Sequence, residues 1–231
     1  MPRTSVILAG GRGDRLFPYT TILPKPLLPI CGRQIIGYIL EDLYESGTCK
    51  HYICVAESDE DIFKNYLGEF EFLTYSGSPN EYNTAGRLSY LLSEEEIEDS
   101  FILHYGDIIT NVDYDLLWKY HEDTSAMATL VVKRGWKIPK GLVRSEDGIV
   151  TEFIERYPLN EDIWIGVAAL RPEVYSYIDG PSQDIGSDLF PTLVEEGEEV
   201  RIFDFDGFFF DIGTQKDYKN AEDYLKMQGY F

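Results

Sequence analysis

Short apolar runs alternate with amphipathic stretches along the first half of the chain. The segment TSVILA at Thr4–Ala9 is a nearly continuous apolar run, which is typical of a strand buried on both faces of a parallel sheet. Further strands are predicted at His51–Ala56, Phe72–Tyr75 and Ser100–Tyr105. Together with the amphipathic stretches between them, these strands predict an α/β fold.

Helices are predicted where apolar residues recur at helical spacing. In the first, the apolar residues within 35–43 share one face, and Gly47 is placed to end the helix. Ser58 and Asp61 have the spacing of a capping box, which predicts a second helix from there to Leu67. Two more helices are predicted, near 84–92 and over Thr214–Met227.

The second half of the chain has a more antiparallel pattern. The turn dipeptide Asp147–Gly148 predicts a hairpin over Gly141–Glu155. A second hairpin is predicted over Val200–Phe210, with its turn at Asp206–Gly207. Single strands are predicted at Met127–Val132 and Ile163–Leu170.

The composition is that of one globular domain. The chain has 231 residues, of which 44% are hydrophobic and 14% aromatic, and this excludes a disordered acidic tail. We find no linker or internal repeat, so we expect a single domain over residues 1–231. Three cysteines are too few for a disulfide framework, no apolar run approaches the roughly 18 residues of a membrane span, and no signal peptide is evident. We therefore expect a cytoplasmic protein.

Charge is distributed unevenly along the sequence. The formal net charge is −21, which argues against binding to nucleic acid or to an anionic membrane, since both require clustered positive charge. Residues 1–35, however, contain five basic residues and one acidic residue, a net of +4, which leaves −25 for the rest. A basic, Gly- and Pro-rich opening segment in an acidic protein indicates a site for an anion.

The candidate anion site is the segment GGRGDR at Gly10–Arg15, directly after the first strand. Glycines there let backbone N–H groups approach a phosphate. The segment lacks the Gly-Lys-Ser/Thr of a Walker loop, and Leu16 stands where a dinucleotide fingerprint needs glycine or alanine. In the following PKPLLP, three prolines restrict the backbone around Lys25, so that Arg15 and a rigidly presented lysine could clamp a triphosphate.

These two motifs resemble the signature of the sugar nucleotidyltransferases, Gly-Gly-x-Gly-Thr-Arg-Leu followed by Pro-Lys-Pro. The resemblance extends over nearly the whole chain. It implies a Rossmann-like nucleotide-diphospho-sugar transferase fold, with a mixed, mostly parallel sheet flanked by helices and an antiparallel portion on the sugar side. It also implies Mg²⁺-assisted transfer of a nucleotidyl group from an NTP to a sugar 1-phosphate, giving an NDP-sugar and pyrophosphate.

The resemblance assigns roles to residues on the nucleotide side. Arg15 and Lys25 match the catalytic cations. ILHYGDI and FFFDIGT supply Asp107 and Asp211 as the expected Mg²⁺ ligands, and an oxygen-only pair completed by phosphates suits that ion. The matching nucleotide-binding residues are Leu8, Ala9, Gly10, Gly11, Gly13, Asp14, Thr84 and Gly86.

On the sugar side, the resemblance points to Gly141, Glu155, Arg156 and Gly166. Three matches depart from the family pattern. Arg156 replaces a lysine, Asp14 stands where the family has threonine or serine, and Asn83 replaces the first glycine of Gly-Thr-Ala-Gly.

Several interpretations remain open at the level of sequence. The base and sugar could be guanine with mannose or heptose 1-phosphate, or thymine or uracil with glucose 1-phosphate. Alternatives are a non-catalytic nucleotide-sugar sensor or regulatory subunit, and an alcohol-phosphate cytidylyltransferase on the same fold. We expect a catalytic domain alone, without a C-terminal left-handed β-helix, and a homo-oligomer is possible.

Overall fold

The computed structural model describes residues 3–11, 13–138 and 141–229. Arg12, which belongs to the predicted phosphate loop, lies outside the described residues. The strands are β1 Arg3–Leu8, β2 Pro29–Ile30, β3 Arg33–Gln34, β4 Thr48–Ala56, β5 Leu73–Ser78, β6 Phe101–Tyr105, β7 Ile108–Thr110, β8 Ala128–Lys133, β9 Leu142–Glu146, β10 Ile149–Ile154, β11 Ile163–Leu170, β12 Val200–Asp204 and β13 Phe209–Asp211. The α-helices are α1 Ile35–Glu45, α2 Glu60–Leu67, α3 Thr84–Glu94, α4 Tyr114–Thr124, α5 Phe190–Glu195 and α6 Gln215–Met227.

Seven strands form the central sheet in the order β12-β8-β11-β6-β1-β4-β5. Strands β6, β1, β4 and β5 are parallel to one another, and β12 is parallel to β8. Only β11 runs antiparallel to its neighbours β6 and β8 within this sheet of the described chain. The predicted α/β fold with a mixed, mostly parallel sheet is therefore confirmed.

Each face of the sheet is covered by helices. Along β1, Ile7 belongs to one core cluster, which includes Phe63 of α2, and Val6 belongs to the opposite one, which includes Leu88 of α3. Because successive strand residues point to opposite faces, a strand buried on both sides must be apolar at every position. This requirement explains the apolar run Val6–Leu8 in β1, whereas the buried polar Ser5 in the same strand is hydrogen-bonded to His51 Nδ1 at 2.8 Å.

A third core cluster attaches the C-terminal helix to the body of the protein. Ile212 and Leu225 pack with Ile35 of α1 and with Leu16, and all four side chains are fully or almost fully buried. This contact supports a short antiparallel ladder in which β13 pairs with β7, placing Asp211 opposite Ile108. The end of the chain is thereby brought back to the end of β6.

Two local predictions are wrong. The segment Val200–Phe210 is not a hairpin, because β12 pairs in parallel with β8 and β13 pairs with β7. Tertiary pairing overrides the Asp206–Gly207 turn signal here. The capping box is also absent: α2 begins at Glu60, and the hydroxyl of Ser58 donates a hydrogen bond to Asn80 Oδ1 at 3.0 Å.

The hairpin predicted over Gly141–Glu155 is confirmed as β9–β10. Its turn residues Asp147 and Gly148 both have positive φ, +49° and +80°, as a tight two-residue hairpin turn requires. The strands β2, β3 and β7 and the helices α4 and α5 were not predicted from the sequence. No helix in the described part of the chain is long and apolar enough to cross a membrane.

Candidate active site

A cavity of about 540 Å³ opens beyond the carboxyl ends of β1 and β6. The sheet order reverses at this place, since β4 and β5 follow β1 on one side and β6 lies on the other. Ligands of open α/β sheets bind at such switch points. Ten residues of the sequence-derived site line the cavity: Leu8, Ala9, Gly10, Gly11, Gly13, Asp14, Arg15, Lys25, Thr84 and Asp107. We call these ten residues the nucleotide side.

The loop after β1 turns sharply at its glycines. Gly13 has a φ of +65° and precedes the short 3₁₀ turn Asp14–Leu16. A Cβ on Gly13 would lie 2.8 Å from Thr20 Cγ2, so the close approach also excludes a side chain. Position 13 therefore favours glycine both because of its backbone conformation and because a side chain would be too close to Thr20.

Lys25 is presented to the cavity by a 3₁₀ turn over Lys25–Leu27, with Pro24 before it and Pro26 within it. The residue is only 8% exposed and forms an ion pair with Asp107. The prolines thus do what the sequence predicts, since they hold the lysine backbone in one conformation. The structure thus brings Lys25, the candidate catalytic cation, into contact with Asp107, a candidate metal ligand 82 positions away in the sequence.

Asp107 and Asp211 meet through the β7–β13 ladder. The backbone N–H of Ile212 donates to the carbonyl of Asp107 at 3.0 Å, which holds the two segments side by side. Partial loss of water contact and the nearby carboxylate of Asp107 raise the pKa of Asp211, whereas Lys25 and Arg15 lower it. The raised pKa of Asp211 therefore reflects its partial burial first and the adjacent carboxylate of Asp107 second.

This pair of carboxylates fits Mg²⁺ in its donor chemistry. Both groups offer hard oxygen ligands. Among the described residues there is no cluster of three or more His, Cys, Asp or Glu side chains that could hold a metal ion. A site with two protein carboxylates leaves positions for phosphate oxygens and water, which is the usual arrangement for this ion.

Arg15, at the end of the loop Gly10–Arg15, has its guanidinium near Asp211. A Cβ built on Gly213 would be 3.4 Å from Arg15 Nη2 and 3.6 Å from Asp211 Oδ1, so the guanidinium and the carboxylate both border Gly213. Gly213 also lines the cavity, and Thr214 caps α6 by accepting a hydrogen bond from the backbone N–H of Asp217. The last helix therefore starts at the site, as predicted.

The first turn of α3 forms another wall of the cavity. Thr84 Oγ1 donates to Asp184 Oδ1 at 2.9 Å and accepts from the backbone N–H of Ile185 at 2.9 Å. Gly86 does not line the cavity: a Cβ there would clash with the carbonyl oxygen of Pro181. Gly86 is therefore required for packing against the segment that carries Asp184.

Asp184 and Arg87 are two of the cavity residues that the sequence did not indicate. Asp184 lies about 100 positions from its partner Thr84, and no local pattern marked it. Arg87 lies directly after Gly86 and is almost completely buried. A charged residue among the apolar positions of the first turns of α3 was the signal that could have identified it.

The residues predicted to meet the sugar phosphate lie outside this cavity. Gly141, Glu155, Arg156 and Gly166, which we call the sugar side, do not line it. Glu155 and Arg156 are exposed just beyond the end of β10, and Arg156 has a φ of +58°. The structure therefore groups the nucleotide side tightly and leaves most of the sugar side apart from it.

Gly166 is the member of the sugar side closest to the cavity. It has a φ of +85° and lies within an irregular stretch of β11, where the pairing with β8 shifts between Trp164 and Ala168. A Cβ on Gly166 would lie 3.5 Å from the Cβ of Tyr105, a residue that lines the cavity. The backbone of Gly166 therefore does not take part in the regular pairing of β11 with β8, and it lies near the rim of the cavity.

The chain belongs to the nucleotidyl transferase family, whose sequence pattern matches residues 4–228. The UTP–glucose-1-phosphate uridylyltransferase of Synechocystis sp. is 29% identical, over 94% of this chain and 62% of that protein. The mannose-1-phosphate guanylyltransferase catalytic subunit beta of Drosophila pseudoobscura is 30% identical, over 93% of this chain and 60% of that protein. The chain thus spans about three fifths of the length of these curated relatives.

Solved structures with the same fold cover almost the entire chain. The inositol-1-phosphate CTP transferase of T. maritima superimposes with a TM-score of 0.74 at 20% identity, over 99% of this chain and 97% of that one. HddC from Yersinia pseudotuberculosis gives a TM-score of 0.75 at 19% identity, over 96% and 99%. These similarities establish the fold.

Proposed function

We propose that the protein transfers a nucleotidyl group from an NTP to a sugar 1-phosphate and releases pyrophosphate. The observation that carries the proposal is that the glycine loop, Lys25 and Asp107 line one cavity. Asp211 is not among the lining residues, but the hydrogen bond from Ile212 to Asp107 holds it beside Asp107. Curated relatives over nearly the whole chain are named as transferases of this kind. Their names leave two pairs of substrates to distinguish, UTP with glucose 1-phosphate and GTP with mannose 1-phosphate.

The reaction requires two anions to be brought together in line. A phosphate oxygen of the sugar 1-phosphate attacks the α-phosphorus, the bond from that phosphorus to the bridging oxygen breaks, and pyrophosphate leaves with the electron pair. The protein contributes position and compensating charge rather than a covalent intermediate. The backbones of Gly10, Gly11 and Gly13 and the guanidinium of Arg15, all of which line the cavity, would bind the triphosphate.

Lys25 is placed to stabilise the charge that develops at the α-phosphate. Its burial and its rigid turn limit the reorganisation needed when the NTP binds. Asp107 and Asp211 would hold Mg²⁺, which supplies further neutralisation of phosphate charge when bound. The magnesium requirement, a cytoplasmic location and a homo-oligomer all remain predictions.

On the sugar side, we propose that Arg156 orients the sugar phosphate and that Glu155 accepts hydrogen bonds from sugar hydroxyls. Both side chains are exposed and lie at the end of the β9–β10 hairpin. Gly166 would offer backbone groups near the rim of the cavity. In this proposal the acceptor phosphate is bound between the hairpin end and the nucleotide side.

The test is pyrophosphate release over a matrix of GTP, UTP, dTTP, CTP and ATP against mannose, glucose and heptose 1-phosphates and an alcohol phosphate. Each pair is measured with Mg²⁺ and with excess EDTA. We expect one pair to dominate and EDTA to abolish release. NTP binding without release for any pair would instead support a sensor, and a preference for CTP with the alcohol phosphate would support the cytidylyltransferase alternative.

A further inference from the structure

Arg87 is a buried cation next to the nucleotide side. It belongs to the first turns of α3, and only 4% of the residue is exposed. Its Nη1 donates to the carbonyl of Val55 at 2.8 Å and to Ser78 Oγ at 2.6 Å, and its Nη2 donates to the carbonyl of Asn80 at 3.3 Å. One planar group thus binds the ends of β4 and β5 and the loop that follows β5.

The same guanidinium also contacts the phosphate loop. A Cβ on Gly10 would lie 2.5 Å from Arg87 Nε, so the guanidinium packs directly against the backbone at the end of β1. Three adjacent parallel strands therefore have their carboxyl ends in contact with this one side chain. These are the ends at which the cavity opens.

Arg87 has no carboxylate partner within 4.0 Å among the described residues. Burial lowers its pKa, although more distant acids such as Asp59 and Glu81 oppose this effect. Burying a guanidinium without a carboxylate partner costs free energy, which its three hydrogen bonds offset in part. An apolar residue could not make these bonds, so the role of Arg87 goes beyond filling space.

A second cavity, of about 460 Å³, indicates what that role is. Arg87, Asn80, Gly10, Gly11 and Asp14 line both this cavity and the 540 Å³ one. Arg87 and the two segments it joins therefore form the wall between the two spaces. Without the guanidinium, Gly10 and Asn80 would lose the group that connects them.

We propose that Arg87 is a positioning residue for the NTP: it fixes Gly10 and the Asn80 segment relative to each other and so shapes the nucleotide side before ligand binds. The inference rests on the proposed function and deepens it. It predicts that Arg87 affects NTP binding and has little effect on the sugar phosphate or on the chemical step.

The experiment compares Arg87→Ala and Arg87→Lys with Arg3→Ala. Arg3 is a matched control because it lies at the opposite end of β1, where it pairs with Asp115. We expect both Arg87 variants to raise the KM for the NTP by about tenfold or more, with kcat within about threefold and the KM for the sugar 1-phosphate unchanged. Lysine should not restore binding. A guanidinium distributes its donors over three nitrogen atoms in one plane, whereas the single nitrogen of lysine cannot reach the same set of acceptors.

Chemical rescue separates positioning from general destabilisation. Millimolar methylguanidinium should lower the NTP KM of Arg87→Ala towards the wild-type value and leave Arg3→Ala unaffected. If the NTP KM of Arg87→Ala stays within twofold of wild type, the inference is wrong. It is also wrong if the KM values of both substrates rise together without rescue.

The inference and the proposed function fail in different ways. If the wild-type protein releases no pyrophosphate with any pair, the proposed function fails, and NTP affinity is then measured by calorimetry. A tenfold weaker NTP affinity in Arg87→Lys than in wild type would still support the positioning role. Equal affinities would overturn it, and this variant also serves if Arg87→Ala does not fold.

Discussion

The nucleotide side and the sugar side are built in different ways. The nucleotide side is assembled from the carboxyl ends of buried parallel strands, and an ion pair joins Lys25 to Asp107 within it. Most of the sugar side belongs to a protruding arm. Within the described residues, β9 and β10 pair only with each other, and Ile138 donates its backbone N–H to the carbonyl of Tyr157 at 2.9 Å at the arm's base.

This difference indicates where rigidity is needed. Phosphoryl transfer depends on charges placed in advance, and the fold provides that placement where the backbone is most constrained. In the proposed function, sugar recognition would depend on groups of an exposed arm, where sequence changes cost little stability. Under that proposal, such a fold could keep one phosphate chemistry and alter the sugar that it accepts.

The largest expected effect is at the centre of the nucleotide side. Lys25→Ala should lower kcat by about 100-fold to 1,000-fold, because it removes a buried cation next to the reacting phosphate. Pyrophosphate release measures the loss, and the far-UV circular dichroism spectrum should stay unchanged. Lys119→Ala, on the exposed face of α4, is the matched control and should retain full activity. Near-normal turnover in Lys25→Ala would contradict the proposal that Lys25 stabilises charge at the α-phosphate.

The next effect should be confined to the sugar side. Arg156→Ala should raise the KM for the sugar 1-phosphate by about tenfold, since a charge-assisted hydrogen bond is lost, and leave the KM for the NTP unchanged. Arg144→Ala, in the same hairpin but paired with Glu152, provides the control and should change neither KM. An equal rise in both KM values for Arg156→Ala would show that the two sides are not independent.

A half-buried carboxylate outside the site, Asp42 of α1, tests whether partial burial of a negative charge costs stability. Burial and the neighbouring Glu41 and Glu45 raise the pKa of Asp42 to about 6. Asp42 therefore destabilises the folded state when ionised, and Asp42→Asn should raise the free energy of unfolding by about 1 kcal/mol at pH 7.5, with allowance for solvent screening. The gain should shrink as pH falls through 6, where the native aspartate becomes protonated.

Urea unfolding at pH 7.5 and at pH 4.5 measures this effect. The exposed Asp123 on α4 is the control, and Asp123→Asn should change the free energy of unfolding by less than about 0.5 kcal/mol at both pH values. A gain for Asp42→Asn that is the same at both pH values would contradict the titration argument.

The smallest effect is expected on the arm. Phe153 is 66% exposed and pairs with Val143, which is also exposed, so Phe153→Ser should change the free energy of unfolding by less than about 0.5 kcal/mol. Phe63 lies on the buried face of α2, so Phe63→Ala should lower the free energy of unfolding by about 3–5 kcal/mol in the same urea experiment. A large loss for Phe153→Ser would show that the arm is part of the folded core.

Local patterns in the sequence predicted a large part of this architecture. The carboxyl-terminal parts of β1 and β4, at Val6–Leu8 and Tyr52–Val55, are buried on both faces and therefore form continuous apolar runs. Asp147–Gly148 predicts its hairpin because the turn conformation is local. The phosphate loop was found for the same reason, since its glycines and prolines act on their own backbone.

Apart from the local capping box at Ser58 and the unpredicted helices α4 and α5, the failures involve distant partners. The pairing of β12 with β8 and of β13 with β7 depends on segments about 70 to 100 positions apart, and no local signal specifies it. Asp184 was missed because its role depends on Thr84, and Arg87 because its partners lie on neighbouring strands. Contacts formed by tertiary packing leave little trace in a single sequence.

The short β7–β13 ladder also makes the site depend on two distant parts of the chain. Asp107 belongs to the first half of the chain, whereas Asp211 lies in a segment that is held in place by the packing of α6 against α1. Weakening the contact between α6 and α1 is therefore expected to displace Asp211, while the central sheet and the glycine loop keep their own contacts. The pair of carboxylates thus depends on the docking of a helix that contributes no strand to the central sheet.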